Sequence, residues 1–323
     1  MAFLWWLLGA AAVAGLLVLL TAFICYRMAF YADRRKQPDP EEYAIPEGEI
    51  YEPYRDVMVG WMKEVRAMPH EDITLKSFDG LTLRGKFYEY APGAPMELMF
   101  HGYRGAAERD LCGGVQRCFA LGRSALIVAQ RACGGSEGQV ITFGVKEYRD
   151  CLTWLDYAEN RFGPDRKFIL TGISMGASTV LIAAGRPLPE NVIGVLADCG
   201  FTSAKAIIRK GIGQMGLPQG LAYPFVKLGA KLYGRFALEA VKHCQVPVIL
   251  FHGEADDFVP CQMSRENFEA CGARKRLVTV PGAGHGLSYL VAPEAYLEAL
   301  EEFFGPGAGS RGEENAPCVG QRG

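Results

Sequence analysis

A serine between two glycines, Gly172-Ile173-Ser174-Met175-Gly176, is the first group in this chain that could act as a nucleophile. Its setting matters more than the pattern. The apolar run 167–171 comes before it, and the small residues Ala177-Ser178-Thr179-Val180-Leu181 follow in helical fashion. A serine on a tight turn between a buried strand and a helix is held at the carboxyl edge of a sheet, and the glycines let that turn approach its neighbours. The N-terminal end of the following helix favours a developing oxyanion. A serine hydroxyl stays a poor nucleophile until a base takes its proton. The available imidazoles are His70, His101, His243, His252 and His285. His285 lies in the glycine-rich stretch Gly282-Ala283-Gly284-His285-Gly286, after the last apolar run and before the last helical segment. That position lets a loop hold the ring over the serine. His70 precedes a hairpin, His243 falls in an insertion, and His252 ends a strand where a local hydrogen bond suffices.

An imidazole used this way needs an acid to fix its tautomer and offset its charge. The apolar run 246–251 leads into His252-Gly253-Glu254-Ala255-Asp256-Asp257-Phe258-Val259-Pro260, which puts Asp256 at the carboxyl end of a strand. Asp257, Glu254 and Asp198 are competitors, and each also reads as a capping or solvated loop charge. The order Ser174, Asp256, His285 is the one expected when such a triad is built on a parallel α/β sheet. Backbone donors for the oxyanion would come from two places. One is the loop His101-Gly102-Tyr103-Arg104-Gly105, which follows the apolar run 97–100; the other is the residue after the serine. The amides of Tyr103 and Met175 are the expected pair, with no role required of their side chains.

These segments resemble the α/β-hydrolase superfamily. The similarity points to a bacterial subgroup of membrane-anchored hydrolases related to serine aminopeptidases and BEM46-like proteins. It is carried by 101–105, Gln130-Arg131-Ala132-Cys133-Gly134-Gly135-Ser136-Glu137-Gly138, 172–176, Ala197-Asp198-Cys199-Gly200-Phe201, 252–260 and His285, and it covers about 70–304. The resemblance implies the fold and the triad and leaves the substrate open. Three positions depart from the usual pattern: Ala129 stands in place of an aspartate, and Ala132-Cys133 in place of a glycine-histidine pair.

The elements that must position these residues alternate along the chain. Strands are expected at 97–100, 125–129, 167–171, 192–197, 247–251 and 276–280, short and apolar as strands buried on both faces should be. Helices are expected at 109–121, 146–161, 174–185, 262–270 and 293–304. Such alternation predicts a mostly parallel sheet with helices on both faces. Before it, 73–75 and 81–83 read as a hairpin turning at Asp79-Gly80. The stretch 203–243 lacks a strand and reads as a short helical cap. Its apolar residues Leu221, Tyr223, Phe225, Val226 and Leu228 would either line an acyl pocket or pack the cap down.

Residues 1–26 carry no charged side chain and are long enough to cross a bilayer core. Trp5 and Trp6 flank one end; Tyr26, Phe30 and Tyr31 flank the other, where aromatic residues favour the interface. No Lys or Arg precedes the run and no small-residue cleavage site ends it, so an anchor is expected over a signal peptide. Arg27, Arg34, Arg35 and Lys36 then favour a cytoplasmic catalytic domain. The expected organisation is an anchor at 1–28, a linker and lead-in helix at 29–70, the main domain at 71–304 with its cap at about 203–243, and a disordered tail at 305–323.

With 34 basic and 36 acidic residues there is no basic field to attract nucleic acid. The ten cysteines form no CxxC pair, so they read as ordinary thiols, and neither metal nor cofactor is expected. The expected activity is hydrolysis of an ester, thioester or amide through an acyl-enzyme, with a carboxylic ester or acyl substrate favoured. The alternatives are an aminopeptidase-like serine peptidase and a non-catalytic binding protein on the same fold.

Overall fold

The computed structural model describes residues 1–32, 42–234, 244, 246–305 and 314–315. Nine strands form one sheet in the order β1-β2-β4-β3-β5-β6-β7-β8-β9. They are β1 (Glu71–Lys76), β2 (Thr82–Tyr88), β3 (Met96–Phe100), β4 (Ser124–Ala129), β5 (Phe168–Ile173), β6 (Val192–Asp198), β7 (Val248–Gly253), β8 (Lys275–Val280) and β9 (Glu314–Asn315). β1 and β2 pair antiparallel, β2 lies antiparallel to β4, and the remaining pairs are parallel. The central strands run apolar and buried on both faces, with Glu97 the exception in β3; its carboxylate is held by Arg117 and Arg123 at 2.5 and 2.8 Å. β2 reaches further than the short run 81–83 implied. Arg84 and Lys86 alternate with Leu83, Gly85 and Phe87, so one face packs inward while the other meets solvent.

The helices are α1 (Ala2–Phe30), α2 (Arg55–Ala67), α3 (Ala107–Ala120), α4 (Glu147–Phe162), α5 (Met175–Ala184), α6 (Ala204–Gln214), α7 (Gln219–Gly229), α8 (Gln262–Ala270), α9 (Ser288–Val291) and α10 (Pro293–Phe304). α5 is buried along its whole length and packs on β5 and β6, which explains its run of small and branched residues. Trp154 of α4 fills the core beneath β2 and leaves no room for a side chain at Gly85.

Two expectations about the chain's first part change. The lead-in 49–67 is two elements, a 3-10 turn (Glu49–Tyr54) and then α2, because Pro53 cannot sit inside a longer α-helix. The segment leaving α1 is also pinned at its start. Tyr31 bridges Val140, the Ala32 amide donates to the Gln139 carbonyl at 2.9 Å, and the Ile141 amide donates to the Phe30 carbonyl at 2.8 Å. The rest of the expected linker, 33–41, lies outside the described residues, as do 235–243 of the cap and most of the tail.

α1 is long and apolar enough to cross a membrane, with a mean hydropathy of 2.6 over 18 residues. Its outer part exposes Leu4, Leu7, Leu8 and Leu16, whereas Ala22, Tyr26 and Phe30 are buried against the domain. At about 1.5 Å per residue, the first twenty or so residues suffice for a bilayer core. The last turns are then free to pack on protein. They meet α7 at Gly229, where any side chain would overlap the Ala22 carbonyl and press on Tyr26.

Candidate active site

Ser174 sits between β5 and α5 with φ 55° and ψ −116°, a conformation few non-glycine residues adopt. Two glycines make the turn possible. A Cβ on Gly172 would overlap the backbone of Gly176, and one on Gly176 would overlap the Phe100 carbonyl on β3. The turn is held by the Ser174 amide, which donates to the Asp198 carbonyl at 2.8 Å. Ser174 and Asp256 are buried, and the His285 side chain is 13% exposed.

The three residues picked out by spacing meet in space. His285 Nε2 lies 2.9 Å from Ser174 Oγ, and His285 Nδ1 lies 2.7 Å from Asp256 Oδ2. A carboxylate can only accept, so Nδ1 carries the proton and Nε2 presents its lone pair to the hydroxyl. Asp256 is saturated. Its Oδ1 accepts the amides of Phe258 and Val259 at 3.0 and 2.8 Å. Its Oδ2 accepts from His285 and also faces His252 Nε2 at 3.2 Å. Burial works against the charge, but the hydrogen bonds from His252, His285 and the Val259 amide outweigh it and hold this carboxyl at about 2.

The competitors point elsewhere. Asp198 accepts from Ser288 Oγ and Tyr296 OH, both at 3.1 Å. Burial raises its carboxyl above the usual range despite the opposing pull of His252, Ser288 and Tyr296. Glu254 takes a hydrogen bond from Thr279 at 2.7 Å. Asp257 offers its backbone carbonyl to Gln214 at 3.3 Å.

His252 and His101 brace the site. His252 Nε2 is 2.8 Å from the Val259 carbonyl, which can only accept, so that nitrogen is the donor; Nδ1 then accepts from Ser264 at 2.6 Å. The local hydrogen bond expected of His252 is present, and the same N–H also turns toward the acid. His101 donates from Nδ1 to the Gly102 carbonyl at 2.8 Å and accepts the Gln130 amide on Nε2 at 3.0 Å. Burial lowers its tendency to take a proton, so a neutral ring fixes the turn carrying Tyr103. Gln130 Nε2 returns a bond to the His101 carbonyl, and Arg131 forks onto Asp150 at 2.6 and 2.7 Å. The segment that departs from the family pattern at 129, 132 and 133 thus acts as a scaffold for the first loop.

Gly102 lies against the Ser174 side chain. Met175 opens α5, so its amide is one of the first-turn donors that an α-helix leaves without an internal acceptor. The side chain of Tyr103 is engaged, although the oxyanion role expected of its amide requires nothing of it. Its hydroxyl donates to the Ala29 carbonyl at 2.7 Å, and Arg104 donates to the carbonyls of Met28 and Tyr31 at 2.8 and 3.0 Å. These donors satisfy orphan carbonyls at the end of α1. The lead-in turn reaches the opposite side of the site, where Tyr51 donates to the His285 carbonyl at 3.0 Å. Neither link has a local sequence signature, since each joins residues far apart in the chain.

Among the described residues, Cys199, Asp256 and His285 bring donor atoms within 4.8 Å of one another. Burial, then the charges of Asp198 and Asp256, push the Cys199 thiol well up, so it offers no thiolate. Both imidazole nitrogens are already engaged. This group does not fit a metal.

The family model described as the alpha/beta hydrolase family matches residues 98–299. The chain belongs to the alpha/beta hydrolase family. An uncharacterized protein of Mycobacterium tuberculosis is 26% identical over 237 residues, which is 72% of this chain and 78% of that protein. Protein bem46 of Schizosaccharomyces pombe is 26% identical over 250 residues, 73% of this chain and 77% of its own length. Among solved structures, the esterase Pf2001 of Pyrococcus furiosus aligns with TM-score 0.61 at 20% identity, covering 80% of this chain and 95% of that one. Est1E of Butyrivibrio proteoclasticus, solved with ferulic acid bound, aligns with TM-score 0.53 at 20% identity, covering 72% and 97%. These hydrolase structures share the sheet and helices of this chain.

A cavity of about 810 Å³ opens beside Ser174. Ile207, Ile208 and Ile212 of α6 supply much of its apolar wall, with Phe201 and Val226. Of the cap residues singled out in the sequence, Val226 lines the cavity, whereas Leu221 faces outward at 70% exposure.

Proposed function

We propose that this chain is a serine hydrolase that cleaves a carboxylic ester or related acyl substrate through an acyl-enzyme. The observation that carries this is the unbroken line Asp256 Oδ2, His285 Nδ1, His285 Nε2, Ser174 Oγ, with links of 2.7 and 2.9 Å. In the reaction, His285 Nε2 takes the Ser174 proton as Oγ attacks the acyl carbon. The Tyr103 and Met175 amides hold the oxyanion, and Asp256 stabilises the imidazolium. His285 then protonates the leaving group, and water repeats the sequence to release the acid. An acyl group is favoured over a peptide because the cavity wall is mostly apolar, with Arg27 and Arg104 its charged members. Among the described residues lining it, no Asp or Glu is available to hold a free amino terminus.

We further assign α1 as a single-pass anchor with the catalytic domain on the cytoplasmic side. The apolar length of α1, the basic residues that follow it, and the packing of its last turns on the domain support this reading. A membrane-impermeant thiol reagent applied to intact cells should leave Cys318 unlabelled; labelling would reverse the topology.

The catalytic reading is tested with a fluorophosphonate probe. Wild-type protein should be labelled and Ser174→Ala should not, with hydrolysis of p-nitrophenyl esters falling about 10⁶-fold in the variant. Folded wild-type protein that resists the probe would favour a non-catalytic binding role. Faster cleavage of aminoacyl anilides than of esters would favour a peptidase.

A further inference from the structure

The cavity beside Ser174 has a wall that the hydrolase domain does not supply. Cys25, Met28 and Ala29 near the end of α1, and Ala32 just beyond it, face it together with α6. Its rim is exposed and mostly apolar, with Arg27 and Gln214 as exposed polar members. Met28 on α1 is 55% exposed, and Met215 and Leu217 in the α6–α7 turn are 63% and 49% exposed, yet all three also line the cavity. The opening therefore lies between α1 and the cap.

The cap is set at the depth of the apolar helix. α7 meets α1 at Ala22 and Tyr26, one to two turns before α1 ends. The cap also presents Leu221, near the start of α7, and Leu232, just after its end, to the outside at 70% and 45% exposure. The last half of α1 also exposes apolar side chains, Phe23 and Ile24. Helical surfaces with outward leucines beside a membrane-spanning helix sit in the interfacial layer. The volume, about 810 Å³, lies in the upper part of the roughly 300–1,000 Å³ range of ligand pockets.

We propose that the substrate is a bilayer-resident acyl lipid, and that its acyl chain reaches Ser174 laterally, through the gap between α1 and the α6–α7 turn. This rests on the serine-hydrolase reading above and adds the substrate class and its route. The anchor is then one wall of the substrate site. A lipid entering this way passes along a mostly apolar wall, which limits the exposure of its chain to water, and the cationic Arg27 and Arg104 stand where a polar head group could rest.

Full-length protein reconstituted in phosphatidylcholine vesicles provides the test. A long-chain ester, 4-methylumbelliferyl palmitate embedded in the same vesicles, is compared with the soluble 4-methylumbelliferyl acetate. The double variant Leu221→Asp/Leu232→Asp changes exposed residues outside the cavity wall. It should slow palmitate hydrolysis at least about tenfold, because charge is unfavourable near the membrane, and leave acetate hydrolysis within about twofold. Equal rates for wild type and variant on the embedded ester would overturn the lateral route. A phosphatidylcholine bearing a diazirine at the end of one acyl chain gives a second measure. Crosslinks should fall in both 22–32 and 207–217; crosslinks confined to 2–21 would overturn the proposal. Fluorophosphonate labelling of Ser174 is read on every sample. Loss of labelling in the wild type breaks the serine-hydrolase reading, whereas intact labelling without these lipid effects breaks the route alone.

Discussion

Asp198 and Asp256 form a controlled comparison within one molecule. Both follow or end neighbouring parallel strands, β6 and β7, and each is 6% exposed. Their carboxyls nevertheless move in opposite directions, Asp198 up and Asp256 down to about 2. Burial opposes the charge at both and is the leading cause of the rise at Asp198, so the partners at Asp256 must more than offset it. Asp198 receives two neutral hydroxyl donors, from Ser288 and Tyr296. Asp256 receives two backbone amides and two imidazoles, one of which becomes charged in the proposed reaction. Burial set against the number and strength of the donors decides which aspartate stays ionised, and only an ionised one can offset an imidazolium.

The largest effect expected from this contrast is on turnover. Asp256→Asn should lower kcat on a soluble ester about 10⁴-fold by presenting the wrong tautomer of His285. Steady-state kinetics check this, and a comparable fall in Asp198→Asn would dissolve the distinction between the two sites.

The next is a pH effect on stability. A carboxyl lowered on folding contributes stability that is present above its unfolded value, near 4, and is lost as pH falls toward its folded value of about 2. Urea unfolding at a series of pH values should show Asp256→Asn losing less stability than wild type across that window, by about 2 kcal/mol. Parallel curves for the two proteins would count against a strongly ionised Asp256.

A smaller effect is expected at His252. Replacing it with Leu removes one donor to Asp256 and leaves the Val259 carbonyl without that partner. Activity should fall about tenfold, in line with the roughly 1.5 kcal/mol of a hydrogen bond to a charged group. The acid-side loss of stability should also be smaller and level off at higher pH than in wild type, because the folded carboxyl then lies closer to its unfolded value. A fall in activity without that second change would give His252 a packing role only.

The smallest effect belongs to Asp198→Asn. Ser288 and Tyr296 address different oxygens of Asp198, so the amide keeps an acceptor for one hydroxyl and offers its N–H to the other. Turnover of a soluble ester should stay within about threefold, since the change lies off the reacting atoms. The sign of its pH dependence is opposite to that of Asp256. With the folded carboxyl raised, the wild type loses stability as pH climbs from the ordinary carboxyl value through the raised one. The Asn variant should not, and a flat wild-type curve there would remove the contrast.

Much of this was legible in the chain. β3 to β8 fall within two residues of the runs read as strands, because strands buried on both faces must be short and apolar while turns and helix starts interrupt them. Glycines at 172, 176, 284 and 286 marked the loops that needed tight approach. The side chains that brace these loops were harder to read. Tyr103 to Ala29, Arg104 to Met28 and Tyr51 to His285 are contacts across 74, 76 and 234 positions, and nothing in the local pattern encodes them. The cap was ambiguous for a related reason. Its apolar residues divide among the cavity, the seam with α1 and the outer surface, and helical spacing alone does not distinguish these three fates.

The close contact at Gly229 has a consequence for how such chains can diverge. Because α7 approaches the Ala22 carbonyl so nearly, position 229 cannot gain even a methyl group unless the two helices separate. Relatives that possess the N-terminal helix should therefore keep glycine there, while relatives without it are free to vary. An alignment sorted by the presence of that helix would reveal the rule as a correlation between a single cap position and the first thirty or so residues.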